Sequence, residues 1–192
     1  MKMLRYSIAL VFSVLLLSPA YADADYSKSI KVFRDSEVVQ PYFKDSYGYA
    51  IFPTIGKGGI GIGGAHGKGK VYMGGKPSGD TSMTQVTSGW QLGGQAYSQI
   101  IFFQDKRAYN EFTSGNFEFG AQASAVAITA GAQAQAGTGG ATASASPGGS
   151  AGAQAKTDYH KGMAVFTRAK GGLMYEAAIG GQKFSFKPLG KK

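Results

Sequence analysis

Residues 47–64 read YGYAIFPTIGKGGIGIGG, and this stretch decides the fold of the chain. Its first half is rich in aromatic and β-branched residues, which favour a strand. In its second half, glycines at positions 59, 61 and 63 alternate with Ile60, Ile62 and Gly64. Glycine within a strand often marks a bulge or a close approach of another backbone. We therefore predict that the glycine segment continues as a strand, within a β-rich domain.

The same glycines resemble two phosphate-binding loops, and neither motif has its required context. Gly56, Gly58 and Gly61 fit G-x-G-x-x-G, but a helix must begin directly after that motif. Four more glycines follow within eight residues, and each costs about 1 kcal/mol in a helix. The segment 64–70 resembles a P-loop, yet Val71 stands where the Mg²⁺-binding Ser or Thr belongs. Nucleotide binding is not expected.

The first 22 residues have the three parts of a secretory signal peptide. Lys2 and Arg5 precede an apolar stretch over residues 8–17, and Ala20 and Ala22 form an A-x-A cleavage site before Asp23. The apolar stretch is too short to span a bilayer, which takes about 20 residues. We therefore expect 1–22 to be a leader and 23–192 to be one exported domain, periplasmic or secreted. Since the chain has no cysteine, this domain must be stable without disulfides.

Periodicity places the remaining elements. A helix is expected from about Tyr26 to Val39, with a break before Tyr42 caused by Pro41. A second, short helix is expected near 105–113, with Asp105 as its N-cap. Strands are predicted at 68–73, 81–94, 95–103, 117–127, 163–166, 173–177 and 183–186, with a turn over 74–80. Residues 130–156 are almost wholly Ala, Gly, Ser, Thr and Gln, and are predicted to form a flexible loop.

Together these elements predict a β-rich α+β fold in a single domain. Its sheet is antiparallel, a barrel-like form is left open, and an N-terminal helix and the short helix near 105–113 accompany it.

Residue types that carry catalysis or bind metals are sparse. The two histidines, His66 and His160, are far apart in sequence, and no cysteine is present to pair with them. No spacing of Asp and Glu singles out a pair for acid–base chemistry. We therefore expect no enzymatic activity, no catalytic residues, no metal site and no cofactor.

The basic residues are the more informative group. The chain has 20 Lys and Arg against 11 Asp and Glu. A basic exported protein meets anionic lipids far more often than nucleic acid, so no nucleic-acid partner is expected. Glycines surround Lys57, Lys68, Lys70 and Lys76, and exposed backbone N–H groups near lysines can bind phosphate. The alternative is that these lysines only form a solvated rim.

Several separated blocks together resemble the SYLF domain family. These blocks are 47–64, 91–103 with the helix that follows, 117–130, and Lys170-Gly171-Gly172-Leu173-Met174. The resemblance extends from about Ser36 to Pro188. It implies a compact β-rich domain with packed helices and binding to phospholipid membranes. In eukaryotic members lipid contact is associated with a basic N-terminal segment, which corresponds here to Lys28, Lys31 and Arg34.

Eukaryotic members of that family are also associated with actin, which is not expected of an exported protein. The sequence thus predicts a non-enzymatic domain that associates peripherally with anionic phospholipid membrane surfaces. The alternative is a structural or self-associating protein of the cell envelope, with the 130–156 loop mediating contacts.

Overall fold

The computed structural model describes residues 19–60, 62–88, 95–121, 123, 125–128, 159–170 and 178–190. Most of the predicted leader, the predicted strand at 173–177 and the predicted flexible loop at 130–156 lie outside the described residues. The described residues form eight strands and three helices.

The fold is built on one sheet of eight strands. Their order across the sheet is β5-β8-β3-β2-β1-β4-β7-β6, and every neighbouring pair is antiparallel except β6 and β7. The sheet curls into a half-barrel, which confirms the predicted β-rich antiparallel fold. The strands are β1 Gly48–Ile60, β2 Ile62–Met73, β3 Lys76–Ser88, β4 Gln95–Phe103, β5 Phe117–Glu118, β6 Val126–Ala127, β7 Met163–Ala169 and β8 Lys183–Pro188.

Three helices accompany the sheet: α1 Pro19–Arg34, α2 Gln40–Asp45 and α3 Lys106–Phe112. The N-terminal helix is confirmed, but its predicted end at Val39 is wrong. Ser36 N donates to Phe33 O, which closes the last turn early and lets Val39 become fully buried. Pro41 lies in the first turn of α2, where a backbone N–H would have no partner within the helix, so its absence breaks no helical hydrogen bond. None of these helices combines the length and apolar character needed to cross a membrane, as far as the described residues go.

The short helix α3 forms as predicted. The Asp105 side chain accepts a hydrogen bond of 2.8 Å from the backbone N–H of Ala108, which satisfies one free donor of the first turn. Phe112 is fully buried, with its ring centroid 4.9 Å from that of Phe103 at the end of β4. The helix is thereby fixed against the sheet.

The glycine segment that begins the sheet differs from the prediction in one respect. It is not one strand, because Ile60 and Ile62 are register partners and the chain reverses between them. Close backbone approach does occur, but at Gly67 and Gly69. A Cβ atom on Gly69 would lie 2.7 Å from the carbonyl oxygen of Ile51, beside the register shift between Ile51 and Thr54.

The β2–β3 hairpin is confirmed, with a tighter turn than predicted. Gly74 and Gly75 have φ angles of 56° and 77°, and this left-handed pair alone connects the strands. Residues 77–80, predicted as turn, already belong to β3. Of the predicted strand over 117–127, the described residues form β5 at one end and β6 at the other. The segment between them instead makes a turn at Gly120, whose carbonyl accepts from Ala123 N.

Side chains alternate between two faces of the curled sheet. The inner face carries a core that includes Phe52, Ile55, Met83, Ile101 and Phe184. Helix α3 also contacts this core, as do Phe117, Phe119, Ala123 and Ala125. The outer face carries a second core, which α1 and α2 cover through Phe33, Val39, Tyr42 and Phe43. In the described part of the chain these helices cover one end of the outer face. On the rest of it Lys68, Lys170 and Lys183 are exposed.

Candidate functional site

The uncovered part of the outer face carries six basic residues from three strands, and we call it the basic face. Because successive side chains of a strand lie on opposite faces, each of them is on the face opposite to the inner core residues of the same strand. Small residues lie between them on the neighbouring strands. The six are Lys68 and Lys70 of β2, Arg168 of β7 with Lys170 directly after it, and Lys183 and Lys187 of β8.

Lys68 lies at the centre of the basic face. Its register partners are Thr54 of β1 and Ser82 of β3, so short hydroxyl side chains flank it on both sides. Lys70, two residues further, places its ammonium 5.0 Å from the centroid of the Tyr26 ring. This cation–π contact marks the border between the basic face and helix α1.

Two cations reach the centre from the β7 side. Lys170 Nζ donates a hydrogen bond of 2.6 Å to Thr54 Oγ1, so Lys68 and Lys170 both lie next to the same threonine. Arg168 is the register partner of Ser98, whose hydroxyl donates 2.9 Å to the carbonyl of Pro53. That bond fixes the bulged part of β1 beneath the two cations.

Strand β8 contributes the other side. Ser185 and Ser82 are register partners, and their hydroxyl oxygens lie 2.7 Å apart. Lys183 makes an ion pair of 3.5 Å with Glu118 of β5. Beside them is a shallow open groove of about 330 Å³, lined by Ser82, Thr84, Gly115, Asn116, Phe117, Glu118, Lys183, Phe184 and Ser185.

Cations dominate this surface. In the described chain, Asp80 and Glu118 are the carboxylates on the same face, against the six basic residues. Asp80 has Lys70 and Lys187 as register partners, and Glu118 is paired with Lys183. The face is therefore a positively charged surface, with hydroxyl groups and little apolar bulk between the charges.

The structure separates the four lysines that the sequence grouped together. Lys68 and Lys70 lie on the basic face. Lys57 is the register partner of Ala65, and Lys76 of Met73, so both are on inner-face positions. Eight residues of β2 separate those partners, which corresponds to about 26 Å.

The three predicted contact residues of the N-terminal helix lie on the exposed side of α1. Lys31 Nζ pairs with Asp35 at 2.9 Å, and the Arg34 guanidinium lies 5.0 Å from the Phe43 ring centroid. Lys28 is exposed. They are not part of the basic face.

Sequence reasoning missed Arg168, Lys170, Lys183 and Lys187, because they lie about 100 residues from Lys68 and Lys70. The sequence of β8 nevertheless indicates that its lysines share a face. In β8, Phe184 and Phe186 alternate with Lys183, Ser185 and Lys187, and this period of two places the lysines on one face.

Beneath the basic face, the inner side of the sheet holds a small buried polar cluster. Gln99 and Gln182 are both fully buried, and Gln182 Nε2 donates 3.2 Å to the hydroxyl of Tyr97. Burial raises the pKa of Tyr97 well above its ordinary value, partly offset by the hydrogen bond to Gln182. Among the described residues, no three His, Asp or Glu side chains converge as metal ligands would.

Comparison with known proteins agrees with the resemblance seen in the sequence. The family profile named Ysc84, described as the Las17-binding protein actin regulator, matches residues 84–187. The chain belongs to this family, also called SYLF. The SYLF match begins within β3, so β1 and β2 lie outside it. It contains the four basic-face residues of β7 and β8.

The chain is also similar to a curated protein. The SYLF chain is 26% identical over 157 residues to Beta cell expansion factor A of Aeromonas veronii. The alignment covers 81% of this chain and 51% of the Aeromonas protein. This chain therefore spans about half the length of that relative.

Proposed function

We propose that this SYLF chain is a non-catalytic domain that binds peripherally to anionic phospholipid surfaces through its basic face. The observation that carries this proposal is the convergence of six cations on one sheet face, opposed by two carboxylates among the described residues. The face is rich in exposed hydroxyl groups, so phosphate oxygens can approach both the ammonium groups and the hydroxyls.

The expected energy is adequate for reversible binding. A Lys or Arg close to an anionic bilayer contributes about 1 kcal/mol, and the contribution falls off within a Debye length. Four net positive charges on one face would therefore hold the domain at low salt and release it at high salt. The interaction is electrostatic and needs no deep pocket.

The location and the partner follow from the same proposal. We propose that the predicted leader exports the chain, so that the basic face meets anionic lipid in the periplasm or outside the cell. The family description names an actin regulator, and an exported domain would have no access to actin. We therefore assign the basic face to lipid.

The test is flotation of the predicted mature chain, Asp23 to Lys192, with vesicles of neutral or anionic phospholipid across a salt series. Flotation with anionic vesicles alone, lost as salt rises, is the expected result. Absence of flotation with anionic vesicles at low salt would overturn the proposal. Concentration-dependent assembly without lipid affinity would instead favour the self-associating envelope protein.

A matched pair of triple variants locates the contact. Substituting Lys68, Arg168 and Lys187 by Gln removes three charges from the basic face and should weaken binding roughly a hundredfold at low salt. Substituting Lys76, Lys106 and Lys161 by Gln removes the same charge from exposed positions at the other end of the sheet. This control should bind nearly as the parent does.

A further inference from the structure

At one end of the sheet, three strands extend beyond the described parts of their neighbours as a ribbon. Among the described residues, pairing of β1 with β4 reaches Lys57 and Gln95, and pairing of β3 with β8 reaches Thr84 and Lys183. Strands β1, β2 and β3 remain paired to one another further out. We call residues 58–60, 62–64 and 86–88 the ribbon end, which extends about 10 Å past Lys57.

The ribbon end contains no charged residue, although the adjoining parts of the same sheet are strongly basic. Val86 is 81% exposed, more than any other large apolar residue in the described chain. Its register partner is Gly64, which is also exposed and gives Val86 no side chain to pack on. Ile60 and Ile62 are register partners at the extremity. The ribbon end is thus uncharged, and it presents the apolar side chain of Val86 to solvent.

Cations begin a short distance behind it. Lys183 is level with Thr84, two residues from Val86 along β3, which is about 7 Å. Lys68 is four residues from Gly64 along β2, which is about 13 Å. An uncharged tip followed by basic residues matches the layering of a membrane interface, where apolar groups enter about 5–10 Å and cations stay among the headgroups.

The base of the ribbon end is anchored. Gln85, next to Val86, is buried and its Nε2 donates 2.8 Å to the carbonyl of Gly180. This bond ties β3 to the segment that precedes β8. The ribbon end is therefore held in place relative to the basic face and can act together with it.

The geometry points to the ribbon end as an insertion element that enters the boundary between headgroups and acyl chains when the basic face binds an anionic bilayer. This inference rests on the proposed lipid-binding function. The strand edges limit the depth, because backbone groups without partners are costly in hydrocarbon. The ribbon end should add a component of binding that survives salt, since burial of apolar surface is not screened.

The absence of cysteine makes a direct test simple. A polarity-sensitive fluorophore is attached to Val86→Cys in the mature chain, and in a second protein to Leu189→Cys. Leu189 is 45% exposed, and its backbone N–H bonds to Ser78 O near the other end of β3. With anionic vesicles, the label at position 86 should shift to the blue and be quenched by quenchers carried on the acyl chains. The label at position 189 should do neither.

The outcomes separate the two proposals. Flotation with an aqueous label at position 86 would overturn insertion and leave the lipid-binding function standing. No flotation would overturn both. A spectral shift at position 86 without vesicles, growing with protein concentration, would assign the ribbon end to a second copy of the chain and overturn insertion.

An unlabelled pair of variants gives an independent measurement. Val86→Asp should lower binding at high salt by about tenfold, while Leu189→Asp, with the same charge change, should leave the salt-resistant fraction unchanged. Equal losses in both variants would show that charge alone matters, and would contradict insertion.

Discussion

The side-chain amides of Gln99 and Gln182 bond to each other in both directions across the interior of the half-barrel, at 2.9 and 3.2 Å. Gln99 lies in the middle of β4, and Gln182 directly precedes β8 on the far side of the sheet order. The pair therefore links two parts of the curled sheet that are not neighbouring strands, and helps to maintain its curvature.

Gln182→Leu should destabilise the fold. The substitution leaves the buried amide of Gln99 and the hydroxyl of Tyr97 without their partner, and each unsatisfied buried group costs about 1–3 kcal/mol. Urea unfolding of parent and variant measures the difference. The double variant Gln99→Leu with Gln182→Leu should recover part of the loss, because it removes polar groups on both sides. Equal stability of the single variant and the parent would contradict this account.

Gly69→Ala should be strongly destabilising. The added methyl group would lie 2.7 Å from the Ile51 carbonyl oxygen and from two ring atoms of buried Phe52, and none of these can move freely. Gly56→Ala is the matched control in β1, because a Cβ atom there meets nothing within 4 Å. We expect a fall in the thermal midpoint for Gly69→Ala alone. Similar midpoints for the two variants would rule out close packing at Gly69.

Alkaline pH should destabilise the fold through buried tyrosines. Burial, aided by neighbouring Tyr72, raises the pKa of Tyr49 from 10.0 to about 12. The folded state thus holds the phenol proton more tightly than the unfolded state. Stability from this source is complete below pH 10 and is lost as the pH rises through 12. Thermal unfolding between pH 8 and 12 should show a shallower decline in Tyr49→Phe than in the parent, and parallel curves would count against it.

The cations of helix α1 should matter less to vesicle binding than those of the basic face. Lys31 is already paired with Asp35, and Arg34 lies over Phe43. Replacing Lys28, Lys31 and Arg34 by Gln should therefore reduce low-salt flotation by less than about tenfold. A loss as large as that of the Lys68, Arg168 and Lys187 variant would return the main lipid contact to the N-terminal helix.

Much of the fold was predictable because periodicity is a local property. The apolar run of β4, the Asp105 cap of α3 and the alternation in β8 each follow from neighbouring residues. The reversal between Ile60 and Ile62 was not predicted, because glycine fits both a strand and a turn. The end of α1 was also missed, since burial of Val39 depends on the sheet it packs against.

The candidate site was only half predictable. Lys68 and Lys70 were found because they are close together in sequence, and Lys57 and Lys76 were grouped with them for the same reason. Lys57 and Lys76 do not belong to the face, because their strand positions are on the inner side of the sheet and they lie near opposite ends of β2. The remaining members depend on strand order, which brings β8 next to β3 and β7 next to β4. Single-sequence patterns do not specify that order.

The two-residue turn at Gly74 and Gly75 has a practical consequence. It lies at the opposite end of β2 from the ribbon end, and neither glycine has an atom within 4 Å of where a side chain would begin. An epitope or fluorescent tag inserted there would stand clear of the core and point away from any bilayer that the ribbon end enters. The hairpin thus offers a handle for measuring the tilt of the domain on a supported membrane.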